Sequence, residues 1–440
     1  MQPARSFAAA FAVALLLAPC AAWAAESEPI VVLRGATVHP IVEAPIENGV
    51  VVVQGGTILD VGTDVAVPAG ARIVDLEGLH LYPGFVHAGS TLGLVEVLSV
   101  AGTRDFSEIG DFNPSLRAEV AFNADSTLLP VALSGGVLTA HVMPLGGVVA
   151  GTSAVMKLDG WSWRDMTLRT PVGQHLYFPS LPPPGGDSDD ADAMEKAVES
   201  LDRLLDDARA YAAAREAGLT QPVDTKLEGL VSLVGGEQTL FVHADEARQI
   251  DAALDWVEEQ GFDDVVLMAG PDVRHAAPRL AAAGIPVVLE GVLRLPERRW
   301  EPYDYAFTAA QTLHEAGVRF AISDGGNPFI AANARNLPFH AAMAVAFGLP
   351  REVALASVTR TAAEILGVDD QVGAIAPGLD ASFFAVDGDP LEILSRIERV
   401  WVAGREIDLE VDPQQRLFRR YDARPRMAGG AERPDEGAAP

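Results

Sequence analysis

The sequence predicts an α/β protein, a TIM-like (β/α)8 barrel in the middle of the chain with a small β-sandwich domain built from both chain ends. Three observations carry this. Residues 30 to 86 are Val- and Ile-rich runs broken by turn sequences, with nothing of helical period between them. Residues 372 to 408 have the same texture, interrupted only by a short helical stretch near 391 to 397. Between these flanks, and most cleanly after residue 239, short apolar runs alternate with segments of helical spacing, the pattern of strands joined by crossover helices in a parallel sheet. A chain of 440 residues with 49% hydrophobic content has room for a large barrel and a smaller domain.

The first 24 residues carry one basic residue, Arg5, an apolar run from Phe7 to Leu17, and Ala22-Trp23-Ala24. This is the pattern of a secretory signal peptide, and the apolar run is too short to span a bilayer. Cleavage after Ala24 removes Cys20, the one cysteine of the chain. The expected mature protein is therefore exported, periplasmic or secreted, without a thiol, a disulfide or a cysteine metal ligand. A formal net charge of −29 opposes nucleic acid and anionic membrane surfaces, because the long-range force is repulsive. No membrane span is expected, and a small-molecule substrate is the expected partner.

Residues 25–82 form the N-terminal part of the sandwich, with turns at Asn48-Gly49, Gly55-Gly56 and Pro68-Ala69-Gly70. The barrel, residues 83–369, opens with Leu81–Gly93, LYPGFVHAGSTLG, in which the apolar strand surfaces near His87. Residues 96 to 127 are too long for an ordinary connection, and such loops tend to cover or bind. Within this loop Arg104, Asn113 and Arg117 are candidates for holding a polar substrate, with internal ties of the loop as the alternative. Gly136–Met143 is a second strand with His141 near its end, and Ser153–Leu158 a third, carrying Lys157. The glycines at 146, 147 and 151 are not followed by the lysine that a phosphate loop needs.

Beyond a break at Leu181–Asp187, the apolar positions Met194, Ala197, Val198, Leu201, Leu204, Leu205, Ala208 and Tyr211 keep helical spacing and predict a covering helix. Strands follow at Thr239–His243, Val265–Met268, Ile285–Leu289 and Val318–Ser323. The helices between and after them are Glu246–Gln260, Val273–Ala283, Phe307–Ala316, Ala334–Phe347 and Arg351–Leu366. Residues 370–423 return to the sandwich, and 424–440, rich in Ala, Gly, Pro and charge, read as a disordered tail.

Pro83-Gly84-Phe85-Val86, followed by a polar residue and a small-residue turn, is similar to the entry strand of the amidohydrolase superfamily, PGφφDxHxH with φ apolar. GAIAPGLDASFFAVDGDP with WVAGREID after it is similar to the C-termini of that superfamily, where G-K-D-A-D commonly stands at Gly378-Leu379-Asp380-Ala381. The texture is nearest to the imidazolonepropionase-related branch. The match departs at the chemistry: the aspartate position holds His87, and the two histidine positions hold Gly89 and Thr91. The sixth strand ends in Ala269-Gly270 where a histidine is expected.

The resemblance implies hydrolysis of a carbon–nitrogen bond by a metal-activated water. His243 stands where the superfamily has a metal-binding histidine on its fifth strand, and Asp324 where it has the aspartate that binds metal and takes the water's proton. A catalytic zinc needs about three protein ligands, so a third would come from His87 or His141. The lysine carbamate of some members would fall to Lys157. Two readings stay open. One is a hydrolase of amide, cyclic amide or dipeptide bonds holding one divalent ion, zinc foremost. The other is an inactive barrel with a lost metal site that binds a small molecule or partners with an active relative; a homo-oligomer fits either. No HExxH, GxSxG or GxGxxG-after-strand motif competes.

Overall fold

The computed structural model describes residues 29–182, 188–220 and 222–422. The expected signal peptide and the expected disordered tail lie outside the described residues. In chain order the strands are β1 (Val31–Val38), β2 (Ile46–Gln54), β3 (Thr57–Gly62), β4 (Arg72–Asp75), β5 (His80–Pro83), β6 (Phe85–Ser90), β7 (Val137–Val142), β8 (Val149–Thr152) and β9 (Ala154–Lys157). They continue as β10 (Thr167–Arg169), β11 (Gly173–Tyr177), β12 (Thr239–His243), β13 (Val265–Ala269), β14 (Val287–Glu290), β15 (Phe320–Ser323), β16 (Phe383–Val386), β17 (Ile397–Val402) and β18 (Arg405–Ile407). They make an α/β protein with three sheets, each mixed in strand direction.

The two chain ends meet in one eight-stranded sheet, ordered β18-β17-β16-β5-β1-β2-β3, with β4 also paired to β1. β1 serves three neighbours because it changes partner along its length. Val31 to Arg34 run parallel to β4, and Thr37 and Val38 run parallel to β5. The change falls at Gly35, whose φ of 86° is open to glycine and strained for other residues. β5 then pairs antiparallel with β16, Tyr82 opposite Phe384, which stitches the N-terminal flank to the C-terminal one. Leu33, Val51, Val53, Ile58, Leu81, Phe383 and Trp401 form its buried core. Each large apolar side chain sealed there contributes roughly 1.5–3 kcal/mol. The hydrogen bonds write one sheet, where the sequence predicts two packed layers.

The middle of the chain forms a four-stranded sheet, β10-β9-β7-β6, and a six-stranded sheet, β15-β14-β13-β12-β11-β8. From β11 to β15 every pair is parallel. Short of their terminal residues, β12 to β15 are apolar on both faces, as parallel strands covered by helices must be. Leu240, Val242, Leu267, Leu289 and Ile322 pack with the helices, whereas Phe241, Val266, Met268, Val288 and Ala321 share a second core with Val86, Ala88 and Val155 of the smaller sheet. The two sheets thus enclose one inner core. They touch at two seams: Ser323 Oγ donates to the Gly89 carbonyl at 3.0 Å, and the Ser153 amide donates to Gly173 at 3.1 Å.

Two departures from the sequence reading bear on the site. Gly173–Tyr177, flanked by Pro171 and Pro179, is a full member of the parallel sheet although polar Gln174 and His175 interrupt its apolar pattern. The expected helix over 351–366 is two, Arg351–Ser357 and Arg360–Leu366, because Thr359 leaves helical geometry. The break frees the Val358 carbonyl, which accepts the Val86 amide of β6 at 2.8 Å.

Candidate active site

The C-terminal ends of β12, β14 and β15 and the buried middle of β6, β7 and β11 carry all the chemistry-bearing side chains of the inner core. Asp324 is the first residue after β15 and is buried. Its Oδ2 lies 3.2 Å from Nε2 of His87 on β6, within ion-pair distance but off the line of a hydrogen bond. Its Oδ1 accepts the Gly326 amide at 3.0 Å, a turn made possible by glycines of positive φ at 325 and 326. Burial works to raise the Asp324 carboxyl, but the His87 imidazole and the Gly326 amide outweigh it and hold the group below its usual range. His340, on the helix Leu337–Ala346, adds to this pull, while its own Nδ1 accepts the Leu293 amide at 3.3 Å.

One strand away, Glu290 ends β14 opposite Ser323 of β15. Burial, and then the charges of Asp245 and Asp324, push its carboxyl up to about 8, against the pull of Arg294. Adjacent strand ends therefore present one ionised and one protonated carboxyl at neutral pH. Glu290 escaped sequence reasoning because the apolar run IPVVL stops one residue short of it; the signal was its place as the last residue of a parallel strand.

The remaining histidines form a second group. His141 on β7 places Nδ1 2.8 Å from the Ala88 carbonyl and Nε2 2.7 Å from Ser153 Oγ. A carbonyl only accepts, so Nδ1 carries the proton and Nε2 accepts from the serine hydroxyl. His243 ends β12, as expected, and its Nε2 is 2.9 Å from Nδ1 of His175 on β11. His175 lies flat against Phe241, ring centroids 4.9 Å apart, and His243 stacks on Tyr177 at 4.0 Å. The Tyr177 hydroxyl donates to the Pro144 carbonyl. Burial lowers His141 to about 4 and His243 to about 3, and drives His175 well below its ordinary value, so all three are neutral near pH 7. His175 was missed because its strand was missed.

The loop candidates lie in their own loop. The Asn113 side chain donates to the Gly110 carbonyl, and Arg117 holds the fully buried Glu119 through a 2.8 Å hydrogen bond. Arg104 is exposed, opposite Val95 in an isolated bridge. Lys157 stands opposite Thr139 on the antiparallel pair β7–β9, whereas His141 stands opposite Val155, so the lysine is at the far end of the strand from the carboxylates. A cleft of about 230 Å³ opens beside the ends of β12 and β14, lined by Asp245, Asp272, Arg294, Arg298, Glu301 and Tyr305 among others. Arg298 clamps Asp272 at 2.9 Å and Tyr305 donates to the same carboxylate at 2.8 Å, so this wall is rigid.

A metal ion of the kind the resemblance implies does not fit these residues. Among the described residues no three His, Cys, Asp or Glu side chains are grouped to hold one. The structure gathers His87 with Asp324 and His243 with His175, and places His141 between Ala88 and Ser153.

Comparison with known proteins agrees with this architecture. The profile of the Amidohydrolase family matches residues 305–408. Amidohydrolase tasK of Hapsidospora irregularis is 26% identical over 392 residues, covering 81% of this chain and 39% of that protein's length. The imidazolonepropionase of Brucella anthropi is 26% identical over 390 residues, covering 80% of this chain and 90% of its own. A crystal structure of an amidohydrolase from Thermotoga maritima superposes with a TM-score of 0.77 at 26% identity, over 86% of this chain and 99% of that one. With the strand order and the carboxylate ending the last parallel strand, these likenesses support membership of the amidohydrolase superfamily.

Proposed function

We propose that the chain hydrolyses a carbon–nitrogen bond of a small amide, cyclic amide or dipeptide, with Asp324 as general base and Glu290 as general acid. The observation that carries this reading is the pair of carboxyl groups on adjacent strand ends, one held ionised and the other held protonated. Environments that push two carboxyls apart in this way assign the base and the acid. Asp324 takes a proton from water as the oxygen adds to the carbonyl carbon. Glu290 gives its proton to the departing nitrogen, the C–N bond breaks, and proton exchange with solvent resets both groups. His87 is a positioning residue that keeps Asp324 ionised. No step is routed through a metal.

In this reading the two middle sheets act together as a barrel, with the site where barrel sites lie, at the C-terminal ends of the strands. The polar cleft lined by Asp245 and Arg294, whose charges act on Glu290, supports a small polar substrate, although neither Asp324 nor Glu290 lines it. The pattern of residues 1–24 supports an exported enzyme. The test is release of amine by the purified mature protein from a panel of linear amides, cyclic amides and dipeptides. Turnover is expected in the wild type, with a loss of about 10²–10⁴-fold in Asp324→Asn.

A second reading, an inactive barrel that binds a small molecule, is favoured by Gly89 and Thr91 standing where the superfamily has histidines. It prevails if panel compounds raise the melting temperature and none is turned over.

A further inference from the structure

The geometry points to a centre that holds no resident metal ion, its space filled by the Met143 and Met268 side chains and the place beside Asp324 taken by the His87 ring. This goes beyond the acid–base reading, because it can be true whether or not the protein turns over an amide.

Three observations carry it. First, the position from which a first-strand ligand would grow is obstructed. A Cβ on Gly89 would sit 2.8 Å from the Met268 terminal methyl and 3.5 Å from that of Met143. Met143 in turn closes on the turn after Asp324, where a Cβ on Gly326 would meet its methyl at 2.2 Å. Both methionines are almost fully buried, so the thioethers are packed core and not mobile surface. Methionine suits this use, since an unbranched, polarisable chain fills irregular gaps.

Second, a divalent cation would have to displace contacts that these side chains already make. Asp324 Oδ1 accepts the Gly326 amide, and Oδ2 stands 3.2 Å from the His87 ring. Both His141 nitrogens are held, and His243 Nε2 faces His175. Binding an ion would break these contacts before any coordinate bond repaid them.

Third, the residue at the superfamily's aspartate position is His87, fully buried beside Asp324. The ring is fixed from its other side, where Nδ1 accepts the Gly89 amide at 3.4 Å. The imidazole therefore occupies the space beside the Asp324 carboxylate where a cation would otherwise stand.

The test is the metal content of the full exported protein, purified without chelator, followed by calorimetric titration with zinc chloride. The expected result is less than about a tenth of an equivalent of any divalent metal, where a working three-ligand centre retains about one. Zinc additions should also leave the melting temperature unchanged, since only an ion that binds the folded state shifts it. One equivalent of co-purifying metal that Asp324→Asn abolishes would overturn the proposal. A folded Gly89→His/Met268→Ala variant is expected to bind zinc about tenfold or more tightly than the wild type, the scale of ligand-sphere changes. Equal zinc affinity in the two would overturn the assignment of Met268 as the obstruction.

Discussion

Two pairs of buried side chains between the two middle sheets differ by one substitution of kind. At the seam between β6 and β15, His87 faces a carboxylate; between β11 and β12, His175 faces another imidazole. In the first pair the ring helps to hold the carboxyl below its usual range in spite of its burial. The second has no anion to stabilise a proton, so burial and the neighbouring imidazoles keep both rings neutral beneath aromatic neighbours. A histidine in this core is thus read by what it faces. We assign chemistry to the seam pair with Glu290, and packing to the pair between β11 and β12.

The comparison breaks most visibly at Asp324. Asp324→Asn is expected to lower kcat/KM by about 10²–10⁴-fold, and steady-state kinetics on the substrate found in the panel will read it. An equal loss in a folded His175→Phe variant would show that the two pairs are not different in kind. The next largest effect is on stability. His175→Ala empties a fully buried ring position against Phe241 and is expected to cost about 2–5 kcal/mol, the range for large-to-alanine changes in cores, measured by urea unfolding.

Smaller effects follow from titration. His141, His243 and His340, lowered to about 4, 3 and 4 from an ordinary 6.5, and His175, lowered well below it, are neutral in the fold and protonated more readily when unfolded. Their contribution is complete above pH 6.5 and is lost as pH falls towards these lowered values. Acid unfolding should therefore begin below about pH 6.5, and His175→Phe should make the decline shallower. Glu290 has the opposite sign. Its carboxyl is raised to about 8 from 4.5, so its contribution is complete below 4.5 and is lost as pH rises from there through about 8. Glu290→Gln should remove that decline, read from melting temperatures between pH 4.5 and pH 8.

Much of this molecule was legible in its sequence, for reasons that also explain the gaps. β12 to β15 are continuous apolar runs bounded by turn signals, and every one falls where the pattern places it. The pairing of the two chain ends was readable in their shared texture, although its form as one sheet depends on β1 changing partner at Gly35, a tertiary event. β11 was hidden because Gln174 and His175 break its apolar alternation, and His175 was hidden with it. His243 and Asp324 were placed at strand ends because a strand end is a local property. The partner of His243 was not readable, because His175 lies 68 residues away and such contacts exist only after folding. His87 was named as a ligand candidate, and the structure sets it beside Asp324.

The most direct test of the account is the pH dependence of kcat/KM in the wild type and in Glu290→Gln, measured on one amide substrate. If Glu290 is the acid that protonates the departing nitrogen, the wild-type rate falls as pH rises through about 8, and the glutamine variant is slow at every pH with that limb gone. An alkaline limb that persists unchanged at full rate in Glu290→Gln would contradict it.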